Sequence, residues 1–334
     1  MTTVTLKPRR AIANRLTSQV LGEAGIGVAL LLLIVFFLAF AQNFASVQNI
    51  RDIMTQITLN TILAVGMTFV ILVGGIDLSV GSVIALCAVV SGTVLTSDLP
   101  VAVALILAVV VAIGIGSFTG LVNGFVSETW KVPSFIVTLG MLYAARGAAL
   151  DFTNGATIYT LPKVLTDFGT ANILGVPAIF LVAVALAAVA WFVLSKTVFG
   201  RMTYAIGNNE DAVRLAGHRT SIIKIACFMI GGATVGIAAI VYMARLGVAS
   251  PILGQGYELN AIAAVVIGGA SLFGGRGTIL GTFLGACLLG VLSNGLLLLG
   301  ASDFRRTMIT GLVIIGAVIL DSYRRKLSVR LSSV

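Results

Sequence analysis

The sequence predicts an all-α polytopic membrane protein with about ten transmembrane helices. Of the 334 residues, 58% are hydrophobic and only 10% are charged, whereas a soluble domain carries about a quarter charged residues. The apolar residues are gathered into ten runs, which we count as membrane spans. This composition excludes a soluble globular domain, a coiled coil and a disordered tail.

The runs follow one another with short connections, and no connection is long enough to form a soluble domain. The fifth run is interrupted by Arg146 and the eighth ends early before Gly274, so these two are the weakest. The first run resembles a signal peptide, but it exceeds the usual 7–15 apolar residues, and we expect it to remain as a span. The ten runs cover residues 24–41, 57–75, 80–96, 101–126, a fifth from Pro133, and then 175–194, 222–244, 260–272, 277–299 and 308–320.

The positions of the basic residues predict that both termini are cytoplasmic. With the N-terminus inside, 15 of the 21 Lys and Arg residues fall on the cytoplasmic side, where such residues accumulate in membrane proteins. An odd number of spans would place one basic terminus outside. We therefore expect a cytoplasmic tail at 1–23, a transmembrane domain at 24–320 with a cytoplasmic loop at 195–221, and a cytoplasmic tail at 321–334. Because the basic residues flank the apolar runs, they indicate contact with membrane lipid and not with nucleic acid.

Small and polar residues inside the runs predict close helix packing and a pathway. Glycines four residues apart bring helices together, either within one subunit or against a second one. Polar side chains in spans tend to face a bundle interior or a water-filled path, and amides and hydroxyls suit a neutral polyol better than an ion. The glycines are Gly116, Gly120, Gly124, Gly232, Gly236, Gly277, Gly281 and Gly285, and the polar candidates are Asn60, Asn123, Thr138 and Asn294.

Asp77 and Ser79 lie between the second and third runs, in a glycine-rich segment. Either side chain can cap the third helix, because an oxygen acceptor is favourable at a helix N-terminus. A role in a gate or pathway is the second interpretation. A proton or sodium relay is the third, although relays usually use several embedded ionisable groups. The three cysteines lie in apolar runs and the single His lies in a loop, which favours buried thiols over a metal site.

The loop at 195–221 contains the signals of a short helix. Asn209 can cap it, Glu210 and Asp211 occupy its first turn, and Gly217 can end it in a left-handed conformation. A helix of about seven residues is marginal alone in water. Its apolar residues (Ala212, Val213, Leu215 and Ala216) would be buried in a groove of a cytoplasmic partner or against the membrane surface.

Three segments resemble the ribose-type permeases of bacterial ABC importers. They are GIDLSVGS at 75–82, the loop from GR at 200–201 through AIGNNE at 205–210 to RLAG at 214–217, and GYELNAIA at 256–263. The resemblance extends from about residue 46 to residue 320. It implies the ABC-importer permease fold in the bacterial inner membrane and an alternating-access pathway for a ribose-like pentose or a related sugar or polyol. The sugars of similar permeases include ribose, xylose, inositol and a signalling furanosyl molecule.

The resemblance also implies partners. They are a second permease subunit (the same chain or a related paralogue), a cytoplasmic subunit that binds and hydrolyses ATP, and a periplasmic sugar-binding protein. The short loop helix would be the coupling helix that docks in the ATPase. The residues implied in coupling are Gly207, Asn209, Glu210, Ala212, Arg214, Leu215 and Gly217.

The chain departs from the family at His218, where an apolar residue is usual, and this change bears on the identity of the ATPase. An ion-coupled secondary transporter or channel for a small neutral solute is the alternative function. An enzyme is not indicated, because the sequence contains neither an H-E-x-x-H motif nor a G-x-x-x-x-G-K-[ST] nucleotide site. No cofactor of its own is expected, and ATP would be bound by the partner.

Overall fold

The computed structural model describes residues 8–332, with side chains for residues 24–316 and Ile319. Residues 1–7, 333 and 334 of the two expected tails lie outside the described ones. The expected N-terminal tail is helical from Pro8, since the first helix continues through it. The helices are α1 (Pro8–Phe40), α2 (Val47–Leu72), α3 (Val80–Leu95), α4 (Val101–Trp130), α5 (Ser134–Thr153), α6 (Lys163–Thr170), α7 (Ala178–Lys196), α8 (Val198–Asn208), α9 (Glu210–Leu215), α10 (Thr220–Leu246), α11 (Tyr257–Ile267), α12 (Ile279–Leu298) and α13 (Asp303–Ser332).

Each of the ten predicted apolar runs overlaps a different helix, but the runs at 57–75, 175–194 and 260–272 extend beyond the bounds of α2, α7 and α11. Within the described residues, six helices are long and apolar enough to cross a membrane: α2, α4, α5, α7, α10 and α12. The apolar part of α1, together with α3 and α11, is shorter. The chain is thus a multi-pass helical membrane protein, while the count of ten spans remains a prediction.

The predicted all-α class needs one small addition between α5 and α7. The amphipathic helix α6 is followed by a two-stranded antiparallel hairpin of β1 (Asn172–Ile173) and β2 (Val176–Pro177). Leu174 and Gly175 form the turn with positive φ values of 52° and 87°. The sequence predicts neither α6 nor the hairpin, and β2 falls within the predicted run at 175–194.

Prolines set the start of four helices. Pro100, Pro133, Pro162 and Pro177 directly precede α4, α5, α6 and α7. Proline has no amide hydrogen and keeps the residue before it extended, so a helix does not continue backward through it. Short connections punctuated in this way keep neighbouring apolar helices separate.

The glycine series of α4 and α10 pack these two helices against each other. A Cβ at Gly116 would lie 3.0 Å from the carbonyl carbon of Gly232 and closer still to its oxygen. Gly120 and Gly124 of α4 contact Phe228 and Ile225 of α10 in the same way. The expectation of close packing within one subunit is therefore confirmed for these helices, and the backbones meet because no side chain separates them.

Candidate functional site

The segment between α2 and α3 is held by the first turns of α5. Ser134 Oγ accepts a hydrogen bond from the Ile76 amide at 3.0 Å. Thr138 Oγ1 accepts from the Leu78 amide and donates to the Ile76 carbonyl, both at 3.1 Å. The two hydroxyls pair with backbone groups of Ile76 and Leu78 that lie outside any helix, and buried backbone groups of this kind require such partners.

The Asp77 carboxylate is buried in this segment, with 3% of the residue exposed. Its Oδ1 accepts from the Ser79 amide at 2.8 Å and from the Ser79 hydroxyl at 2.6 Å. Asn123 of α4 donates to Ser79 Oγ at 3.0 Å and, less closely, to Asp77 Oδ2 at 3.4 Å. None of the ion pairs among the described residues involves Asp77, so hydrogen-bond dipoles alone solvate its carboxylate.

Four of the six predicted pathway residues therefore form one group, which we call the Asp77 cluster: Asp77, Ser79, Asn123 and Thr138. Ser79 occupies the N-cap position of α3, but its side chain makes no capping hydrogen bond. Of the predicted capping by Asp77 or Ser79, the structure shows only that the Ser79 amide donates to the Asp77 carboxylate. The Oδ1 atom of Asn123 is buried and has no partner among the described residues, so the cluster retains one open acceptor.

Asn294 and Asn60 show different surroundings. Asn294 donates to Asn49 of α2 at 2.9 Å, and Asn49 donates to the Phe44 carbonyl at 2.9 Å. This chain of amides joins α12 to α2. Asn60 has a buried side-chain oxygen for which the described residues offer no partner. No hydrogen bond links either residue to the Asp77 cluster.

Arg146 has a role that the sequence interpretation missed. Its guanidinium donates to the carbonyls of Pro251 and Leu253 at 2.6 and 2.9 Å, and to the Gly81 carbonyl at 3.3 Å. These carbonyls belong to the non-helical stretch before α11 and to the first turn of α3. Charged residues inside membrane helices often pair with backbone carbonyls. The signal was present, because Arg146 interrupts an apolar run.

The short helix α9 forms as predicted, although it has six residues and follows the unpredicted helix α8. The Asn209 side chain accepts from the Ala212 amide at 2.9 Å. Gly217 ends the helix with a φ of +89°, and the amides of Gly217 and His218 bond the carbonyls of Arg214 and Val213. Both caps are confirmed, and the two bonds at the C-terminus define a Schellman ending.

The seven predicted coupling residues divide by their surroundings. Ala212, Arg214 and Leu215 are exposed, and Leu215 is 88% exposed. Gly207 instead faces its own chain, because a Cβ there would lie 2.9 Å from Gly275 Cα and closer to the Leu72 carbonyl oxygen. Glu210 also faces inward, where it accepts from Thr220 at 3.0 Å and from Lys224 at 3.1 Å.

Lys224 joins a second carboxylate that the sequence interpretation did not single out. Its ammonium pairs with Glu128 near the end of α4 as well as with Glu210. Glu128 also pairs with Lys131 at 3.2 Å. The side chains of Glu128 and Lys224 are only 5% and 18% exposed. The sequence placed both residues on the predicted cytoplasmic side, but it gave no sign that they touch.

Comparison with known proteins places the chain among transport permeases. A family model described as "Branched-chain amino acid transport system / permease component" matches residues 49–320. The chain is 41% identical to the ribose import permease protein RbsC of Escherichia coli (strain K12) over 330 residues, which cover 97% of this chain and 100% of that protein.

Two further relatives cover most of the chain. Identity is 39% over 305 residues with the ribose import permease protein RbsC of Bacillus subtilis (strain 168), across 90% of this chain and 93% of that one. Identity is 35% over 303 residues with the autoinducer 2 import system permease protein LsrC of Salmonella typhi, across 91% of this chain and 86% of that one. No solved structure matches the chain.

Proposed function

Since the chain belongs to the family of branched-chain amino acid transport system permease components, we propose that it is the membrane permease subunit of an ABC importer for a ribose-like pentose or a related sugar or polyol. The family description includes an amino acid as cargo. The relatives at 39–41% identity are named for ribose, and they favour the sugar over the amino acid. The ion-coupled alternative is not favoured, because these relatives are import permeases.

The observation that carries the proposal is the geometry of α9. It is capped at both ends, none of its residues is buried, and it presents Leu215 outward. A six-residue helix with an exposed leucine gains stability when a protein groove covers it. In the proposed assembly, this groove belongs to a cytoplasmic ATP-binding subunit, which hydrolyses ATP. A second permease subunit and a periplasmic sugar-binding protein complete the proposed assembly in the inner membrane.

The proposed gate is the Asp77 cluster, where the connection between α2 and α3 meets α4 and α5. Hydroxyl, amide and carboxylate groups are suited to a cargo rich in hydroxyls, because they exchange hydrogen bonds with it at little cost. Asn60 and Asn294 remain proposed pathway residues at separate positions. Binding protein on one side and ATP on the other would shift an alternating-access equilibrium by binding its two states with different affinities.

The test is uptake of radiolabelled ribose into proteoliposomes. We expect uptake only when the permease is reconstituted with the ATP-binding subunit, the sugar-binding protein and ATP. A non-hydrolysable ATP analogue should abolish it. Uptake by the permease alone under a proton or sodium gradient would overturn the proposal and restore the secondary transporter.

A further inference from the structure

A group of charges joins α9 to two long helices. It consists of Glu210 of α9, Lys224 at the start of α10, Glu128 near the end of α4, and Lys131, and we call it the ionic clamp. Lys224 is its centre, because its ammonium contacts both Glu128 and Glu210. It is thus the only described Lys or Arg that forms ion pairs with two carboxylates.

The ionic clamp differs in burial from the other ion pair of α9. Asp211 and Arg214 are 77% and 62% exposed, and such surface pairs contribute little because water and salt screen them. Lys224 and Glu128 are largely shielded from solvent. Breaking the shielded Lys224–Glu128 pair would leave an uncompensated charge between α4 and α10. The Lys224–Glu210 pair, which attaches α9, is intermediate, since the Glu210 side chain is 31% exposed.

Above the ionic clamp, α4 and α10 also contact each other along their lengths. Gly116 and Gly120 of α4 meet the backbone of α10 at Gly232 and Phe228. Close-packed interiors have low compressibility and transmit strain, and here no side chain separates the two backbones. A displacement of Lys224 therefore moves α4 together with α10.

Helix α4 also contacts the Asp77 cluster. Asn123 lies five residues before Glu128, about 7.5 Å along the helix axis, and it donates to Ser79 Oγ. One helix thus carries a residue of the ionic clamp and a residue of the proposed gate.

We infer that the ionic clamp transmits the movement of α9 through the α4–α10 pair to the Asp77 cluster, and that Lys224 and Glu128 are positioning residues for transport. The inference rests on the proposed function. It deepens that function by naming the attachment through which the nucleotide-driven movement of a partner would reach the pathway. It also assigns Glu210 to the inner attachment of α9, while Leu215 faces the partner.

The test measures ribose uptake and ATP hydrolysis together in the complete complex of permease, ATP-binding subunit and sugar-binding protein. Lys224→Met removes the central charge, Lys224→Arg keeps it, and Asp211→Asn is the control that removes a charge from the same short helix. We expect Lys224→Met to assemble and hydrolyse ATP while the ribose transported per ATP falls about tenfold, a typical allosteric coupling. Lys224→Arg should restore most of this ratio, and Asp211→Asn should leave it unchanged.

A normal ratio in an assembled Lys224→Met complex would overturn the inference alone. If Lys224→Met does not assemble, Glu210→Gln decides, because it leaves the Lys224–Glu128 pair in place. A lowered ratio in Glu210→Gln supports the inference, and an unchanged one overturns it. Absence of ATP-dependent uptake of ribose, xylose and inositol alike in the wild-type complex would overturn the proposed function, and the inference with it.

Discussion

Gly116→Ala should destabilise the protein by forcing α4 away from α10. The new Cβ would lie 3.0 Å from the Gly232 carbonyl carbon, whereas ordinary van der Waals contact begins at 3.4 Å, and the carbonyl oxygen is closer still. The obstacle is backbone, which no rotamer change can move aside. The helices must therefore separate by at least 0.4 Å at this point, and overpacking of this kind costs about 1–3 kcal/mol.

Gly114→Ala is the matched control on the same helix. A Cβ at Gly114 meets nothing within 4 Å, and replacing a helical glycine with alanine gains about 0.5–1 kcal/mol through backbone entropy. The two substitutions add the same methyl group two residues apart. The entropy gain is therefore common to both, and they should differ by the overpacking cost of about 1–3 kcal/mol, with Gly114→Ala the more stable.

The assay is thermal unfolding of the detergent-solubilised protein, followed by the fraction that remains monodisperse in size-exclusion chromatography. The midpoint of Gly116→Ala should lie clearly below that of wild type, and the midpoint of Gly114→Ala at or above it. Equal midpoints for the two variants would refute the argument that backbone contact joins α4 and α10.

Three further predictions concern the other sites. Asp77→Leu should lower unfolding stability by about 1–3 kcal/mol, because the Ser79 amide and hydroxyl lose their acceptor, while Asp77→Asn keeps that acceptor; equal thermal midpoints would contradict this. Arg146→Leu should lower the midpoint because three backbone carbonyls lose their donor, and Arg146→Lys should recover part of the loss; a wild-type midpoint for Arg146→Leu argues against it. Leu215→Asp should express and fold normally but fail to co-purify with the ATP-binding subunit, so co-purification with normal uptake would exclude Leu215 from the docking surface.

Local features of the fold were predictable from the sequence. The apolar runs identified ten helices, because a long apolar run by itself favours a helix. The caps of α9 were equally readable, since Asn209 and Gly217 act on residues within four positions of themselves. The glycine spacing predicted close packing, and the structure supplied the partner helix.

Contacts between distant residues were not predictable. Glu128 and Lys224 are 96 positions apart, and no local pattern marks them as a pair. For the same reason Glu210 was assigned to the partner surface, although it faces Thr220 and Lys224. Asp77 and Asn123 were each candidates, but their proximity depends on how α3, α4 and α5 pack. Arg146 was read as an interruption of a helix, because its backbone partners lie more than 60 positions away.

The non-helical stretch before α11, which Arg146 holds, can deform more easily than a helix can. Helix α11 has only 11 residues, about 16 Å at 1.5 Å per residue, which is roughly half the thickness of the hydrocarbon layer. In the non-helical stretch before α11, the carbonyls of Pro251 and Leu253 are bonded to the Arg146 side chain instead of to the next turn of a helix. A guanidinium can exchange one carbonyl for another by rotating, whereas a helix kinks sharply only where its hydrogen-bond ladder is interrupted. Amide hydrogen exchange should consequently be faster at residues 252–256 than in the neighbouring α3.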